Sequence, residues 1–425
     1  MSRIKIFVSR DWAPIRLITL TRVLSFLLVL GVLIMAGALS QAQSNFTVIH
    51  NFSGLDGEWP FQDSAPTLDR HGNLYGTTLQ GGTAGWGTVY ELAHVNGSWV
   101  LYSLYSFTDS SEGRGVYYGV TIGPDGTLFG VTHGGSDDYG KLYNLRFRAH
   151  LVCAGALCPW NDVALHSFSG GSDGRYPTGN VVFDFQGNLY GTTLGGGAHD
   201  VGTVYKATPS GGRWNVSAIY NFGASGNDGQ NPEAGVVLDG AGNIYGTTGG
   251  GGTYNCGTVF KLSPSGGGWA ETVLHSFMGG GDGCFLNAGL VFDQAGNLYG
   301  ATTGYARGSG TIFEPSPQGG GWNFSTIYTF SGNGPASTLA IDAAGNLYGT
   351  LTNRSAYDPG TVFKLSPSGG GWTYADLHDF TGGNDGRYPV GGVAIAGPGG
   401  YLYGTTERGG ANDDGVIYQI NLGAR

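Results

Sequence analysis

The sequence predicts an all-β protein, a seven-bladed β-propeller made of four-stranded blades, and two observations carry that prediction. One segment, Gly-Asn-Leu-Tyr-Gly-Thr-Thr in its commonest form, recurs seven times, at spacings of 54, 61, 55, 54, 49 and 55 residues. Periods of this length indicate a repeat architecture in which each unit has room for four short strands. The seven copies are Gly72–Thr78, Gly126–Thr132, Gly187–Thr193, Gly242–Thr248, Gly296–Thr302, Gly345–Leu351 and Gly400–Thr406.

The third unit illustrates the four strands that each repeat predicts. Its β-branched and aromatic runs alternate with polar residues and are bounded by Gly, Pro, Asn and Asp, which is typical of strands joined by tight turns. No segment has a helical period long enough to compete, and the coils of the main rival, a β-solenoid, are usually shorter. The predicted strands of this unit are Asn180–Asp184, Asn188–Thr193, Gly202–Ala207 and Trp214–Phe222.

The two ends of the repeat region predict how the ring closes. The last unit supplies three strands, Gly391–Ala396, Tyr401–Thr406 and Gly415–Asn421, and lacks a fourth. An orphan run near the N-terminus, Phe46–Phe52, matches the fourth strand of other units, such as Leu377–Phe380. We therefore expect the N-terminal strand to complete the last blade, which leaves few open sheet edges.

Composition excludes some classes of partner. The chain has 82 Gly among 425 residues, but 40% of residues are apolar and 13% are aromatic, which is enough for a large folded core. The net charge of −10 and the absence of a basic stripe outside the N-terminus argue against nucleic acid. These features favour an acidic exported protein, and we expect it to be a monomer.

The N-terminus has the pattern of a signal peptide. Basic residues precede an apolar run, Val23–Leu39, and small residues follow it, so residues 1–42 are predicted to be removed after Ala42. The alternative is an uncleaved anchor helix, although the run is near the lower limit for spanning. No second apolar segment follows. Residues 43–425 are therefore predicted to form one secreted or periplasmic domain without a membrane span.

Four cysteines in an exported chain suggest two disulfides, and three connectivities are open. Cys256 and Cys284 flank the outer strands of the fourth unit on one face, so their pairing is geometrically sensible. Cys153 and Cys158 lie in an insertion of the second unit and are close enough in sequence to form a disulfide within that loop. The spacing fits no zinc pattern.

The complete repeat resembles the bacterial exported repeat called GloVer, for Gloeo/Verruco. Its motifs are, in order, GNLYGTT, GG, GTVFKL, P, GGGW, LHSF, GG and DG. The resemblance covers roughly Phe46 to Leu422. It implies a cell-surface or secreted protein and carries no established chemistry that can be transferred residue by residue. More distantly, the D–GN–Y pattern is similar to NHL-type propellers, which supports the fold and not an activity.

The Asp-Gly loops between units are the main candidates for ligand binding. A carboxylate recurs there on one predicted face, and Tyr176 and Tyr388, with Trp59 and Phe285, offer stacking faces beside it. These carboxylates suit hydroxyl-rich ligands or a cation; no cofactor is predicted, although a calcium ion stays open. The alternative is a tight turn in which Asp accepts backbone N–H groups. The candidate carboxylates are Asp56, Asp173, Asp228, Asp282 and Asp385.

Other repeated residues are interpreted as packing elements. In the Tyr-Gly-Thr-Thr strand, Tyr is expected between adjacent blades and Gly is expected to let the next backbone approach closely. Thr77 and Thr192 have no Lys or His partner at a fixed offset, so they are not predicted nucleophiles. One further position carries either His or Tyr and is assigned to packing: His50, Tyr105, His166, Tyr220, His275, Tyr328 and His378.

The function predicted from the sequence is a binding or interaction module, for glycans or a cell-surface partner. One alternative is a propeller enzyme, lactonase- or lyase-like, with a site in the central channel. That enzyme would need acidic or His residues on the innermost strands that differ between blades, and those strands are mostly apolar, so catalysis is disfavoured. A structural envelope protein is the third class.

Overall fold

A computed structural model describes residues 45–61, 63, 65–108, 115–134, 138–147, 160–304, 308–352, 359–397 and 400–423. The predicted signal peptide and the loop containing Cys153 and Cys158 lie outside these residues. Within the part of the chain that is described, no helix is long and apolar enough to cross a membrane.

Seven antiparallel four-stranded sheets form the blades of a propeller, which confirms the predicted fold class. Strand β1, Phe46–Asn51, belongs to the last blade. The strands of the first three blades are β2 (Thr67–Leu68), β3 (Leu74–Thr78), β4 (Thr88–Val95) and β5 (Ser98–Ser106); β6 (Thr121–Ile122), β7 (Leu128–Thr132), β8 (Lys141–Phe147) and β9 (Trp160–Ser167); and β10 (Arg175–Phe183), β11 (Leu189–Gly195), β12 (Thr203–Ser210) and β13 (Arg213–Asn221).

The fourth blade carries a small extra ribbon, β14 (Gly229–Gln230) with β17 (Gly250–Gly251), beside its main sheet. The remaining strands are β15 (Val237–Leu238), β16 (Ile244–Thr248), β18 (Thr258–Ser265) and β19 (Gly268–Ser276) in blade four; β20 (Val291–Phe292), β21 (Leu298–Thr302), β22 (Thr311–Gln318) and β23 (Gly321–Thr329) in blade five; β24 (Ala340–Ile341), β25 (Leu347–Leu351), β26 (Thr361–Ser368) and β27 (Gly371–Asp379) in blade six; and β28 (Val393–Ala396), β29 (Tyr401–Thr406) and β30 (Val416–Asn421) in blade seven.

The N-terminal strand closes the ring as the sequence predicts. The seventh sheet has the order β1-β30-β29-β28, so its outermost strand comes from the opposite end of the chain. The pairing of β1 with β30 is antiparallel, with Phe46 opposite Ile420 and Asn51 opposite Val416. Closure removes the need for a separate capping repeat.

The glycine of the repeated strand makes room for an aromatic ring. An ideal Cβ on Gly191 would lie 2.4 Å from the hydroxyl oxygen of Tyr205, and one on Gly246 would lie 2.6 Å from a ring carbon of Phe260. Both rings belong to the third strand of the same blade. We predicted that this glycine lets a neighbouring backbone approach closely. That prediction is wrong, because the group that lies against the glycine is an aromatic side chain.

The tyrosine of the same strand fixes a turn. In the third blade the Tyr190 hydroxyl donates to Asp184 Oδ2 at 3.0 Å, and Asp184 also accepts hydrogen bonds from the Asn188 backbone and side chain. Blades four and six repeat the arrangement. The ring also meets the next blade, because Trp269 packs edge-on against Tyr190 with centroids 6.2 Å apart.

The first threonine of the strand ties neighbouring blades together. Thr77 Oγ1 donates to the carbonyl of Tyr118 at 2.8 Å, and Thr247 Oγ1 donates to the carbonyl of Ala288 at 2.8 Å. Each bond crosses from one blade to the next. The side chains of the repeated segment therefore form turns and inter-blade contacts. Differences between blades lie in other residues.

The two ends of the strands form different faces. Tight turns join the first to the second strand and the third to the fourth at one face. The loops between second and third strands and the inter-blade connections lie at the other, which we call the loop face. Gly57 of an inter-blade connection and Thr78 at the end of β3 meet there.

Candidate functional site

The five Asp-Gly carboxylates lie on the loop face, and each is bound to the outermost strand of the preceding blade. Asp173 accepts a hydrogen bond from the Ser169 amide at 3.0 Å, lies within hydrogen-bond distance of the Ser169 hydroxyl, and is 2.9 Å from His166 Nε2. The equivalent pairs are His50–Asp56 at 3.0 Å, Tyr220–Asp228 at 3.0 Å, His275–Asp282 at 3.1 Å and His378–Asp385 at 3.1 Å.

In these five blades the His or Tyr of one repeat position binds the Asp-Gly carboxylate. Burial would raise the pKa of Asp173, but the bonds from Ser169 and His166 outweigh it and lower that pKa. Burial lowers the pKa of His275 and His378 despite their carboxylate partners, so the rings are neutral donors at pH 7. The packing role assigned to these residues is thus incomplete, because they also hold the Asp-Gly turn. A ligand role for the carboxylates stays a prediction.

One of these pairs includes a third polar group. The Tyr220 hydroxyl oxygen lies 3.0 Å from Asp228 Oδ2 and 2.9 Å from Glu271 Oε2, on the next blade, and its single proton is shared between these two acceptors. Where Glu271 lies in β19, the fifth blade has Phe324, whose ring stacks on His275 at 3.5 Å. Burial, and then the charge of Asp228, raises the pKa of Glu271 to about 7. This contact joins blades three and four and becomes repulsive when both carboxyls ionise.

Aromatic residues of the Asp-Gly connections adopt a backbone conformation that bulky side chains rarely take. Trp59, Tyr176, Phe285 and Tyr388 have φ between 57° and 63°. Hydrogen bonds from each preceding blade hold them, as when the Tyr176 amide donates to the Tyr139 carbonyl at 2.8 Å. A left-handed residue of this kind costs about 1–2 kcal/mol. The fold therefore keeps four aromatic side chains on the loop face at an energetic cost.

In one sector these rings join a continuous aromatic patch, which we define as Phe61, Tyr117, His133, Tyr139 and Tyr176. Tyr176 stacks on His133 with centroids 5.0 Å apart and planes 7° apart. His133 meets Tyr117 edge-on at 5.1 Å, and Tyr117 meets Phe61 at 5.4 Å. Burial lowers the pKa of His133, so the stacked ring is neutral at pH 7.

The patch is specific to blades one to three. The position of His133 is filled in the other described blades by residues without a ring: Leu79, Leu194, Gly249, Thr303, Thr352 and Glu407. Tyr388, which follows Arg387 as Tyr176 follows Arg175, therefore has no histidine to stack on. Each of these arginines lies over its tyrosine, with guanidinium carbons 5.6 Å and 5.8 Å from the ring centroids.

Beside the patch, small residues surround the mouth of the central channel. An ideal Cβ on Gly119 would lie 3.2 Å from the Ala65 carbonyl, and one on Gly235 would lie 2.4 Å from the Asn180 carbonyl. The seven positions of this inner ring are Ala65, Gly119, Asn180, Gly235, Gly289, Thr338 and Gly392. The residues two places earlier vary most between blades: Asp63, Tyr117, Thr178, Glu233, Asn287, Ala336 and Val390.

Asp63 reaches across the ring. It has a φ of 50° and is 6% exposed. Its carboxylate accepts hydrogen bonds from the Thr338 amide at 2.8 Å and the Thr338 hydroxyl at 3.0 Å. Thr338 belongs to blade six, so the contact bypasses blade seven at the channel mouth. Burial outweighs these bonds and raises the pKa of Asp63 to about 6.

Glu233 and Tyr118 complete an acidic group that we call the acid mouth: Asp63, Tyr118, Asn180 and Glu233. Glu233 is half-buried, and burial raises its pKa. Tyr118 is 5% exposed, and its pKa is raised by burial and then by the charges of Glu233 and Asp63, so its hydroxyl lies in the field of both carboxylates. Among the described residues neither Glu233 nor the Tyr118 hydroxyl has a hydrogen-bond partner, and Asn180 Oδ1 is also unpartnered.

The residues of the acid mouth could be recognised in the sequence, but they lie outside the predicted strands. An enzyme-like channel was expected to need unequal acidic residues on the innermost strands, and those strands are apolar. Asp63 and Glu233 instead lie just before the innermost strands, and His133 lies on a neighbouring loop. Aligning the units on the inner ring, rather than on the repeated strand, exposes a position occupied by Asp, Tyr, Thr, Glu, Asn, Ala and Val.

A disulfide and an open cleft lie away from the aromatic patch and the acid mouth. Cys256 and Cys284 form a disulfide within the core between blades four and five, the pairing that the sequence favours. On the turn face, an open cleft of about 710 Å³ lies between blades three and four, beside Phe185, Lys206 and Trp269. No cluster of three His, Cys, Asp or Glu side chains suited to a metal ion occurs among the described residues.

Comparisons with known proteins give a family and a fold. The sequence model of the Gloeobacter/Verrucomicrobia repeat matches residues 34–152, 159–341 and 272–425. The curated proteins contain no match.

Solved structures resemble the chain at low identity. A PL25 ulvan lyase, a polysaccharide lyase, is 10% identical with a TM-score of 0.51, over 87% of this chain and 96% of that one. An α-L-arabinanase from Penicillium chrysogenum is 14% identical with a TM-score of 0.44, over 89% and 98%. A gluconolactonase from Xanthomonas campestris is 13% identical with a TM-score of 0.39, over 69% and 84%. At these identities the likeness concerns the fold alone.

Proposed function

We propose that this chain, which belongs to the Gloeobacter/Verrucomicrobia repeat family, is an extracytoplasmic carbohydrate-binding propeller. Its ligand lies on the loop face, against the aromatic patch and beside the acid mouth. The observation that carries the proposal is the stack of Tyr176 on His133, with Tyr117 edge-on to the same ring, next to polar groups that have no hydrogen-bond partner among the described residues.

Sugars present an apolar C–H face and polar hydroxyl groups. The aromatic patch suits the first, and the acid mouth suits the second. Aromatic rings give a flat apolar body with a polar rim, which suits the C–H face of a pyranose ring. Glu233, Asn180 and Tyr118 supply oxygen atoms for hydroxyl groups. Binding sites generally combine an apolar lining with a few convergent polar groups. Tyr117 and Tyr118 are consecutive, with centroids 6.5 Å apart, so the two surfaces are adjacent.

The exported setting is compatible with such a ligand. The Cys256–Cys284 disulfide suits an oxidising compartment, and the predicted signal peptide would deliver the chain there. The ulvan lyase that shares the fold acts on a polysaccharide by its description, but the proposal rests on the residues of this sector.

Catalysis at the acid mouth is a second candidate, and one observation favours it. Burial raises the pKa of Asp63 to about 6, within the range in which a carboxyl exchanges protons near neutral pH. Incubating the protein with each oligosaccharide that it binds, and assaying for shortened or unsaturated products, separates the two candidates. Binding without product formation supports the module, and turnover abolished by Asp63→Asn supports the enzyme.

The binding proposal is tested with a glycan array and two matched variants. Tyr176→Ala removes the stacked ring of the patch. Tyr388→Ala removes a tyrosine in the same Arg-Tyr-Pro sequence, with the same φ of 57°, outside the patch. Losing a stacking ring of this kind costs about 0.5–1.5 kcal/mol, so we expect Tyr176→Ala to weaken binding about two- to tenfold and Tyr388→Ala to leave it unchanged. Equal weakening, or no glycan bound by the unaltered protein, contradicts the proposal.

A further inference from the structure

We infer that the interface between blades three and four binds a calcium ion through the carboxylates of Asp228 and Glu271. The inference goes beyond the proposed function and uses no residue of the aromatic patch or the acid mouth. The observation behind it is the hydroxyl of Tyr220, which lies within 3.0 Å of an oxygen atom of each carboxylate. The second oxygen of each carboxylate is buried and has no hydrogen-bond partner among the described residues.

The donors around the two carboxylates leave two oxygen atoms over. Asp228 Oδ2 accepts a hydrogen bond from the Ala224 amide at 2.9 Å and lies 3.0 Å from the Tyr220 hydroxyl. Glu271 Oε2 lies 2.9 Å from the same hydroxyl, which has only one proton to donate. Asp228 Oδ1 and Glu271 Oε1 receive no hydrogen bond from the residues that the structure describes. One oxygen of each carboxylate is therefore available to a ligand.

Burial makes these two oxygen atoms costly without a ligand. Asp228 is 2% exposed, so its carboxylate is almost completely withdrawn from water. Buried side-chain polar atoms mostly have a partner, and a buried carboxylate without one is strongly destabilised. In the described part of the chain, neither Asp228 nor Glu271 has an ion-pair partner. A cation between the blades supplies the partner that both carboxylates lack.

The other Asp-Gly carboxylates face an apolar side chain at this place. The residues that occupy the position of Glu271 in the blades following them are Phe46, Leu101, Val216 and Phe324. The Phe324 ring stacks on His275 at 3.5 Å, and the Phe46 ring stacks on His378 at 3.7 Å. Of these five interfaces, one therefore sets a second carboxylate against the Asp-Gly carboxylate.

Oxygen ligands on two separate blades suit calcium. Carboxylate oxygens favour magnesium, calcium or manganese over softer metals. Magnesium demands near-ideal octahedral geometry, whereas calcium accepts about six to eight oxygens in flexible arrangements that can include water. Glu271 is only half-buried, so water has access to complete the coordination. With two carboxylates the site is expected to be weak, with a Kd on the order of 10⁻⁴–10⁻³ M.

A second tyrosine between two carboxyls provides a matched control. The Tyr299 hydroxyl lies 3.3 Å from Asp293 and 3.2 Å from Glu314, within blade five. Asp293 also accepts hydrogen bonds from the amides of Ala295 and Asn297. Neither of these carboxyls has a buried oxygen without a partner among the described residues. The residue types are the same, but no buried oxygen is left for an ion.

Thermal melting at about pH 8, where carboxyls are ionised, measures the effect of calcium. The protein is freed of metal with EGTA and dialysed, and NaCl holds the ionic strength constant. We expect about 10 mM CaCl₂ to raise the melting temperature of the unaltered protein by about 2–4 °C. The same concentration of MgCl₂ is expected to have a smaller effect.

Two variants locate the ion. Glu271→Gln keeps the shape of the side chain and should lose the calcium-dependent rise. Its amide can donate a hydrogen bond to Asp228, so without calcium this variant should be at least as stable as the unaltered protein. Glu314→Gln, in the matched control, should retain the calcium-dependent rise.

Terbium luminescence tests the location independently of stability. Tb³⁺ replaces Ca²⁺ at oxygen sites and emits when a neighbouring tyrosine is excited. Tyr220 lies beside both carboxylates, so the unaltered protein should sensitise Tb³⁺ emission, and excess Ca²⁺ should remove it. The Ca²⁺-sensitive emission should be lost in Glu271→Gln and kept in Glu314→Gln.

Each outcome supports or overturns the inference. A calcium-dependent rise and emission that both disappear in Glu271→Gln support it. The absence of a rise overturns it, and so does an equal rise with magnesium, which indicates general screening of the net charge of −10. A rise that survives Glu271→Gln, or that Glu314→Gln also abolishes, overturns the assignment to this interface. Glycan binding measured in EGTA tests the proposed function separately.

Discussion

The tyrosine hydroxyls of neighbouring strands are expected to have opposite effects on stability. Tyr205, on the third strand of blade three, is fully buried, and its hydroxyl has no hydrogen-bond partner among the described residues. Tyr190, on the second strand of the same blade, donates its hydroxyl to Asp184 at 3.0 Å. The same change, Tyr→Phe, therefore removes an unsatisfied group in one case and a charge-assisted hydrogen bond in the other.

The magnitudes follow from the two environments. Leaving a buried hydroxyl unpartnered costs about 1–3 kcal/mol, so Tyr205→Phe should raise the free energy of unfolding by about 1 kcal/mol. Phe260, Phe313 and Phe363 fill the same place in blades four to six and are fully buried, so the site accepts a phenylalanine ring. A hydrogen bond to a charged group is worth about 1.5–3 kcal/mol. Since Asp184 is partly exposed, Tyr190→Phe should lower the free energy of unfolding by about 1 kcal/mol.

Urea-induced unfolding followed by tryptophan fluorescence measures both changes. A shift of the midpoint at unchanged slope reports stability alone. The expected result is a higher midpoint for Tyr205→Phe and a lower one for Tyr190→Phe. If Tyr205→Phe lowers the midpoint as much as Tyr190→Phe does, the buried hydroxyl has a partner, such as an internal water, and the reasoning fails.

Three further predictions concern packing, pH and the disulfide. Gly246→Ala should lower the free energy of unfolding by about 1–3 kcal/mol, because its Cβ enters an aromatic ring, whereas Gly240→Ala, with nothing within 4 Å, should change the urea midpoint little. The pKa of Glu271 is raised to about 7 from 4.5, so its contribution to stability is complete below pH 4.5 and is lost as pH rises through 7. Glu271→Phe should abolish that part of the decline in melting temperature between pH 5 and pH 8, and an unchanged slope contradicts the assignment. Replacing Cys256 and Cys284 by Ser opens a loop with a sequence separation of 28 and should cost about 3–4 kcal/mol relative to the oxidised protein. The reduced unaltered protein is the control and should be about as unstable as the double variant.

The fold was predictable because the information for it is local and repeated. Period, strand pattern and turn residues all appear in each unit, and the match of Phe46–Phe52 to other fourth strands identified the closing strand. The partners of side chains were less predictable. His166 and Asp173 are 7 residues apart, and their pairing depends on how a connection folds back onto the outermost strand.

From the sequence we predicted Tyr176 but not the acid mouth, whose residues come together only through ring closure. Asp63 and Thr338 are 275 residues apart, and their contact exists because the first and sixth blades share one channel. Tyr117, His133 and Tyr176 lie on three different loops. The strict repeat indicates equivalent residues in every blade, whereas the inner ring places unequal residues side by side.

A crystal structure of the protein with a bound oligosaccharide, chosen from those that it binds on a glycan array, tests the central claim most directly. The account predicts the sugar on the loop face, stacked on Tyr117 or Tyr176, with its hydroxyl groups within hydrogen-bond distance of Glu233 or Asn180. A sugar bound equally at the Asp-Gly turns of several blades, or in the cleft of the turn face beside Trp269, would contradict it.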